Sequence, residues 1–162
     1  MFMSEGRFDQ AAGLRRMANP QPVQVIAITS GKGGVGKTNV SVNLSVALAS
    51  TGKNVMLMDA DLGLANVDIM LGIKPENDLS HVIDGTRSLE EVIITGPAGI
   101  MLVPAASGIR GLAELSAMEH AGLIRAFSEL NHDIDTLIID TAAGINDSVT
   151  SFSRAAQEVV VV

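Results

Sequence analysis

The stretch Gly31-Lys32-Gly33-Gly34-Val35-Gly36-Lys37-Thr38 decides the fold of this chain. Its glycines and its final Lys-Thr pair match the phosphate-binding P-loop, in which tight turns aim backbone N–H groups at phosphate oxygens. The pattern predicts that Lys37 reaches the β- and γ-phosphates of a nucleotide and that the Thr38 hydroxyl binds Mg²⁺. This chemistry does not require Lys32, which needs a separate explanation.

The sequence on either side of the loop predicts the strand, helix and strand that accompany a P-loop. Residues 23–30 are apolar and rich in β-branched side chains, as is typical of a strand buried on both faces. Residues 54–59 predict a second strand. Between them, apolar residues recur at helical spacing, and Gly52 stands where a helix C-terminus is expected. The helical stripe consists of Val40, Leu44, Ala47 and Leu48.

Strands and helices continue to alternate beyond the second strand. Residues 99–103 and 135–139 predict further strands, and residues 63–72 have the apolar spacing of a helix. Residues 88–91 and 116–119 each begin with Ser and end with Glu, the capping box that starts a helix. Such alternation is typical of α/β proteins with right-handed crossovers. We therefore expect a three-layer P-loop NTPase fold with a mostly parallel sheet.

The last five residues, 158–162, read Glu-Val-Val-Val-Val, which is the composition of a buried parallel strand. No turn or capping signal follows this strand. We therefore expect a domain that is truncated at its C-terminus.

Composition limits the class of protein. The 162 residues carry a net charge of −7, which argues against a broad nucleic-acid-binding surface. Without cysteines the chain can form neither disulfides nor thiolate metal sites. No apolar run approaches the roughly 20 residues of a membrane span, and no signal peptide is visible. These features predict a cytoplasmic α/β protein that does not bind nucleic acid directly.

Residues 1–22 differ in composition from the rest and are predicted to be a separate tail and linker. The sequence Asn19-Pro20-Gln21-Pro22 stops any helix before the first strand. Asp9 can cap a short helix over residues 10–18. A helix of this length is marginal alone, so we expect it to become ordered against a partner. The nucleotide-binding domain is predicted over residues 23–162.

Three acidic residues are predicted at the carboxyl ends of strands, where such sheets bind ligands. Asp140 ends an apolar strand, which suits a Walker B acid that holds Mg²⁺ through a water. Asp61 can approach the water that attacks the γ-phosphate, and Asp59 supports the metal shell. Gly144 gives the loop after Asp140 a pivot that can respond to the γ-phosphate. The predicted metal site is Thr38, Asp140 and Asp59, and the predicted switch is Asp140 with Gly144.

Together with these acids, the Lys-Gly-Gly-Val-Gly-Lys-Thr loop and the Asp-Ala-Asp-Leu-Gly sequence of residues 59–63 resemble the deviant-Walker-A ATPases of the MinD/ParA family. In that family the extra lysine crosses a dimer interface and contacts the phosphates of the partner's ATP. The resemblance implies this role for Lys32. It also implies a Mg²⁺-dependent ATPase that forms a homodimer around ATP, with Lys32, Lys37 and Asp61 in catalysis.

Further features resemble the FlhG/FleN branch of this family, the regulators of flagellar number. Residues 59–68, residues 140–144 and Asn39, where most relatives have a second threonine, look like that branch. The tail sequence Asp9-Gln10-Ala11-Ala12-Gly13-Leu14-Arg15 matches its Asp-Gln-Ala-x-x-Leu-Arg motif. The resemblance implies that this segment activates the FlhF-type GTPase, whose active site the glutamine enters. The implied partner-binding residues are Asp9, Gln10, Leu14 and Arg15. The nucleotide-binding residues are Gly31, Lys32, Gly33, Gly34, Val35, Gly36, Lys37, Thr38 and Asn39.

The resemblance implies a switch-like regulator that hydrolyses ATP slowly. Its implied partners are a second copy of the chain, the FlhF-type GTPase, a transcription activator of flagellar genes and the flagellar basal body. In the family, a C-terminal amphipathic helix docks on the membrane, and other segments recognise adenine. We expect both outside these residues, with the full-length protein peripheral to the membrane at the cell pole.

Other functions remain open at this stage. A MinD-type division-site ATPase or a ParA-type partition ATPase would share the fold, but the tail motif argues against both. An electron-transfer role like that of nitrogenase reductase requires cysteine ligands for an iron–sulfur cluster, which the chain lacks. A non-enzymatic adaptor would use only the tail as a peptide ligand.

Overall fold

The computed structural model describes residues 22–61, 66–105, 116–130, 133–145 and 147–162. The strands are β1 Gln24–Thr29, β2 Val55–Asp59, β3 Ile94–Thr95, β4 Met101–Val103, β5 Thr136–Asp140 and β6 Glu158–Val161. The helices are α1 Lys37–Ser50, α2 Val67–Leu71, α3 Leu79–Ile83, α4 Leu89–Val92, α5 Ala117–Ser128 and α6 Asp147–Ala155. A short 3₁₀ turn covers Pro97–Gly99.

The strands form one sheet in the order β3-β4-β2-β5-β1-β6. Neighbouring strands are parallel except for the short β3, which is antiparallel to β4. This confirms the mostly parallel sheet. Asp140 at the end of β5 lies in register with Ile28 of β1 and Asp59 of β2. The carboxyl ends of the three central strands therefore meet at one edge of the sheet, beside the P-loop.

Helices cover both faces of the sheet. Met58 of β2 belongs to a core formed with residues of α3, α4 and α5. Its neighbour Leu57 belongs to a second core, formed with residues of α1 and α2. Because successive strand residues point to opposite faces, one strand contributes to both cores. Full burial of such an aliphatic side chain stabilises the fold by roughly 1.5–3 kcal/mol. The predicted three-layer arrangement is confirmed.

Both predicted capping boxes are confirmed. The Ser88 hydroxyl accepts the N–H of Glu91 at 3.3 Å, and the Glu91 carboxylate accepts the N–H of Ser88 at 2.8 Å. Ser116 and Glu119 form the same pair of hydrogen bonds, at 3.3 and 2.7 Å. These bonds satisfy backbone donors that have no partner inside the helix, which is why α4 and α5 begin there.

The predicted apolar stripe on the inward face of α1 is confirmed in part, because Val40, Leu44 and Leu48 pack against the core. Ala47 is exposed, whereas Lys37, Ser41 and Ser45 are buried. The Ser41 and Ser45 hydroxyls donate to carbonyl oxygens one turn earlier, at 3.1 and 2.7 Å, so their burial leaves no unpaired donor. Small side chains on this face let the helix lie close to the sheet. A pattern built on apolar residues alone missed this.

The predicted final strand is confirmed, but within the described sheet its side chains are not buried. β6 is parallel to β1, as expected, but it forms an edge of the described sheet. Val159 is 43% exposed and Val161 is 74% exposed. An apolar, β-branched run indicates a strand, but it does not show whether a second strand and a helix cover it.

Two other predicted elements have different bounds. α2 begins at Val67, and residues 63–65 of the helix predicted over 63–72 lie outside the described residues. The strand predicted from residue 99 begins at Met101, after the 3₁₀ turn. Among the helices that the structure describes, none combines the length and apolar character needed to cross a membrane.

Candidate nucleotide-binding site

The P-loop borders a cleft of about 520 Å³ at the carboxyl edge of the sheet. Seven of the nine predicted nucleotide-binding residues line it, and Gly31 and Val35 are exposed beside it. The seven are Lys32, Gly33, Gly34, Gly36, Lys37, Thr38 and Asn39. Asp61, predicted to act on the attacking water, also lines the cleft. The structure therefore brings together the residues that sequence analysis assigned to nucleotide binding.

The loop conformation depends on two glycines. Gly34 and Gly36 have φ values of 75° and 96°, in the left-handed region that a Cβ atom disfavours. Gly36 precedes α1, and its carbonyl oxygen accepts the N–H of Val40 at 3.0 Å. The backbone thus turns directly into a helix whose N-terminus faces the cleft, an arrangement that favours phosphate.

A buried ion pair lies at the base of the cleft. Lys37 Nζ is 2.7 Å from Asp140 Oδ1, and the two side chains are 8% and 2% exposed. The Ser41 hydroxyl lies 2.9 Å from the same carboxylate oxygen. The predicted phosphate lysine and the predicted Walker B acid are therefore in direct contact. Sequence analysis missed Ser41, although its place four residues after Lys37 puts both on one helix face.

Asp59 organises the backbone around a neighbouring loop. Its carboxylate accepts the N–H groups of Asp61 at 3.0 Å, Asn66 at 3.2 Å and Val67 at 3.3 Å. Two of these donors begin α2, so Asp59 caps that helix from a distance. Burial raises the pKa of Asp59 to about 6, the nearby Asp140 adds to the rise, and the three N–H groups oppose it. Its predicted place in the magnesium shell stays a prediction.

The strand ends and the two functional loops are joined by backbone hydrogen bonds. The N–H of Ala60 donates to the carbonyl oxygen of Asp140 at 2.9 Å, which links the β2 and β5 ends. Gly144, with φ of 104°, donates its N–H to the carbonyl oxygen of Ser30 at 2.8 Å. The predicted switch loop therefore contacts the start of the P-loop.

Exposed apolar side chains lie in the cleft and on the two loops next to it. Ile69 and Met70 of α2 line it, with Ile69 73% exposed. Val35 of the P-loop and Ile145 after Gly144 are also exposed. We call Val35, Ile69, Met70 and Ile145 the apolar rim. Lys32, predicted to act across a dimer, is exposed and lines the same cleft.

The described residues fit a P-loop magnesium site. They contain no cluster of three or more His, Cys, Asp or Glu side chains that could hold a metal without other ligands. Magnesium in P-loop proteins needs no such cluster, because it keeps waters and takes nucleotide phosphates as ligands. Thr38 at the cleft and the buried Asp140 supply the hydroxyl and carboxylate that this chemistry requires.

The tail residues fall outside this account. The structure does not describe residues 1–21, so the roles predicted for Asp9, Gln10, Leu14 and Arg15 stay predictions, as does the division of the chain at residue 22.

Comparison with known proteins identifies the family. The profile of a family described as an AAA domain matches residues 23–162. The chain is 59% identical over 149 residues to the antiactivator FleN of Pseudomonas aeruginosa, covering 92% of this chain and 53% of FleN. It is 38% identical over 144 residues to the flagellum site-determining protein YlxH of Helicobacter pylori, covering 89% of this chain and 49% of YlxH. The chain spans about half the length of the curated relatives it matches.

A solved structure shows the same fold. The septum site-determining protein MinD of Pyrococcus horikoshii, complexed with Mg-ADP, superimposes with a TM-score of 0.69 at 30% identity. The match covers 87% of this chain and 58% of that protein. With its AAA-domain profile, its extra P-loop lysine and its identity to FleN, the chain belongs to the MinD/ParA family of P-loop ATPases, in the FlhG/FleN branch.

Proposed function

We propose that this chain is the nucleotide-binding part of an ATP-dependent dimerising regulator of flagellar number and placement. The observation that carries the proposal is the buried Lys37–Asp140 pair at the base of a glycine-lined cleft. That pair provides one group for phosphate and one for magnesium. The identity to FleN supports the flagellar assignment over the division-site and partition alternatives.

The residues of the cleft suit binding and slow hydrolysis of MgATP. Bound MgATP supplies the γ-phosphoryl group and the metal charge. The loop N–H groups and Lys37 bind the phosphates, while Thr38 and Asp140 hold the metal. Asp61, held at the cleft by its N–H bond to Asp59, orients the attacking water. Slow turnover suits a protein whose task is to time an association.

Dimerisation around ATP accounts for two exposed features. Lys32 is exposed at the mouth of the cleft, where it can reach the phosphates bound by a second copy. The apolar rim provides surface to bury in such a dimer, because the removal of exposed apolar side chains from water lowers the free energy. The two active sites then face each other.

The remaining partners follow from the resemblance. We propose that the tail, through Asp9, Gln10, Leu14 and Arg15, stimulates the FlhF-type GTPase. The transcription activator of flagellar genes and the basal body complete the proposed partners, and membrane attachment at the cell pole is proposed for the full-length protein.

The experiment that tests the nucleotide switch uses the full-length protein with Lys37→Ala and Lys32→Ala variants. Fluorescent-ATP binding, hydrolysis and light-scattering mass are measured with Mg²⁺ present. We expect Lys37→Ala to lose nucleotide binding, and Lys32→Ala to bind ATP but to lose most hydrolysis. A wild-type protein that neither binds ATP nor changes mass with it would overturn the proposal and favour an adaptor that works through its tail alone.

A further inference from the structure

We propose that Ser41 is a positioning residue for Asp140. Its hydroxyl holds the carboxylate in place for magnesium once Lys37 engages the nucleotide. The inference rests on the proposed MgATP site, and it adds a residue that neither the P-loop pattern nor the acidic residues indicated.

The geometry places Ser41 at the centre of the buried pair. Its side chain is fully buried, and its hydroxyl lies 2.9 Å from Asp140 Oδ1 and 3.1 Å from the carbonyl oxygen of Lys37. Lys37 Nζ lies 2.7 Å from the same Oδ1 atom. In the part of the chain that the structure describes, Lys37 and Ser41 are the side-chain hydrogen-bond donors to Asp140.

Counting protons shows what the hydroxyl can do. Ser41 has one hydroxyl proton, while the Lys37 carbonyl oxygen and the Asp140 carboxylate can only accept. Ser41 therefore has a choice of two acceptors. Hydrogen bonds to a charged acceptor are about twice as strong as those between neutral groups. When Lys37 turns to the phosphates, Asp140 Oδ1 loses its ammonium donor, and the Ser41 hydroxyl becomes its remaining side-chain donor from α1.

Orientation of this carboxylate matters because Mg²⁺ demands near-ideal octahedral geometry. Groups that hydrogen-bond to a metal-binding side chain, without touching the metal, commonly change metal affinity by roughly 10–100-fold. Removal of the Ser41 hydroxyl should therefore raise the Mg²⁺ concentration that nucleotide binding requires. It should not appear as a general loss of nucleotide affinity.

The chain offers a matched control one turn further along the same helix face. Ser45 is also fully buried, and its hydroxyl donates to the carbonyl oxygen of Ser41 at 2.7 Å. Ser41 and Ser45 thus share residue type, helix and burial, and each hydroxyl has a backbone carbonyl acceptor one turn earlier. They differ in the contact with Asp140. Any effect of burial or helix propensity alone should be the same in both alanine variants.

The test compares wild-type full-length protein with Ser41→Ala and Ser45→Ala. Binding of a fluorescent ATP analogue is measured in EDTA and across a Mg²⁺ titration. We expect Ser41→Ala to raise the Mg²⁺ concentration for half-maximal stimulation of binding by roughly tenfold. Its affinity in EDTA and the behaviour of Ser45→Ala should match the wild type. The inference would be overturned if the two variants required the same Mg²⁺ concentration. It would also be overturned if Ser41→Ala lost as much nucleotide affinity in EDTA as it does with Mg²⁺.

A second measurement needs no nucleotide. Denaturant unfolding of Ser41→Ala, Asp140→Asn and the double variant reports whether the two side chains interact. We expect the double variant to change the unfolding equilibrium constant by less than the product of the two single effects, with a shortfall of roughly threefold or more. Independent effects would contradict the contact. Wild-type protein that binds no MgATP would overturn the proposed function, whereas a normal wild type with a normal Ser41→Ala variant would overturn this inference alone.

Discussion

Lys37 and Asp140 are joined by a 2.7 Å ion pair that connects the first residue of α1 to the last residue of β5. Both side chains are almost completely buried, so each charge depends on the other for the interactions that water would otherwise provide. In the proposed MgATP complex, the Lys37 ammonium either shares its three N–H donors between Asp140 and the phosphates or leaves Asp140. The ion pair therefore competes with nucleotide for Lys37. The bound phosphates must supply the negative charge that Asp140 supplies in the ligand-free protein.

Asp140→Asn should expose this dependence. Removal of the carboxylate charge leaves the Lys37 ammonium buried without a counter-charge, which costs about 3 kcal/mol of unfolding free energy in the ligand-free protein. Bound ATP should restore part of the loss, because phosphate replaces the missing charge. Denaturant unfolding with and without nucleotide measures both effects. The control is Asp135→Asn, an exposed aspartate just before β5. Its carboxylate accepts the N–H of Asn54 at 2.7 Å, and the asparagine oxygen can accept the same bond, so we expect a loss of less than about 1 kcal/mol. Equal effects of the two substitutions would contradict the prediction.

Gly36→Ala tests the loop conformation separately from its contacts. An added Cβ at Gly36 meets no atom within 4 Å, so any penalty comes from its φ of 96°. We expect a loss of about 1–2 kcal/mol in unfolding free energy. Gly31→Ala is the matched control, because Gly31 also has space for a Cβ and its backbone avoids this region. Chemical denaturation of each ligand-free variant measures the loss of unfolding free energy. Comparable losses for the two variants would show that the φ angle of Gly36 is not the cause.

Asp59→Asn should change how stability depends on pH. The pKa of Asp59 is about 6 in the folded protein and 3.8 ordinarily, so the folded state binds more protons between these values. The contribution of Asp59 to unfolding free energy is thus fully present below about pH 4 and declines as pH rises through 6. Over that range we expect the wild type to lose about 2–3 kcal/mol relative to Asp59→Asn. Denaturant unfolding from pH 4 to pH 8 measures the difference, and a pH-independent difference would contradict the assigned cause.

The sequence predicted what short local patterns determine. The P-loop, the Ser88 and Ser116 caps and the Asp140 strand end each depend on a few neighbouring residues, and the structure confirms where each lies. The exposure of β6 does not follow from its composition, because the burial of a strand depends on what lies beside it. The antiparallel β3 was missed, since two residues are too short to carry a periodic signal.

Contacts across the fold were equally invisible in the sequence. The Asp59 carboxylate accepts N–H groups at the start of α2, seven and eight positions further along the chain. No helix or strand spacing predicts this contact. The Ser41 contact with Asp140 spans 99 positions. Such long-range polar contacts form only when the sheet brings the β5 end beside α1.

Ile69→Ser tests whether the apolar rim is a dimer surface. Ile69 is 73% exposed, so the substitution should change the unfolding free energy of the monomer by less than about 0.5 kcal/mol. We expect normal ATP binding but roughly tenfold weaker ATP-dependent dimerisation, measured by analytical ultracentrifugation. The control is Met118→Ser on α5, which is 84% exposed and lies on the opposite face of the sheet. A dimer that tolerates Ile69→Ser as well as Met118→Ser would place the interface elsewhere.

The tail makes the flagellar assignment testable apart from ATP chemistry. A peptide of residues 1–22 should stimulate GTP hydrolysis by an FlhF-type GTPase, because a supplied glutamine can orient the attacking water. Gln10→Ala should remove most of the stimulation, since alanine has no amide to position that water. Gln21→Ala, in the linker, is the matched control and should leave the stimulation intact. GTP turnover is measured at saturating peptide. An inactive wild-type peptide, or equal activity of the Gln10→Ala peptide, would leave the P-loop cleft and the identity to FleN as the support for a flagellar role. Sequence identity to FleN would then be the remaining argument for a flagellar role over the division-site and partition alternatives.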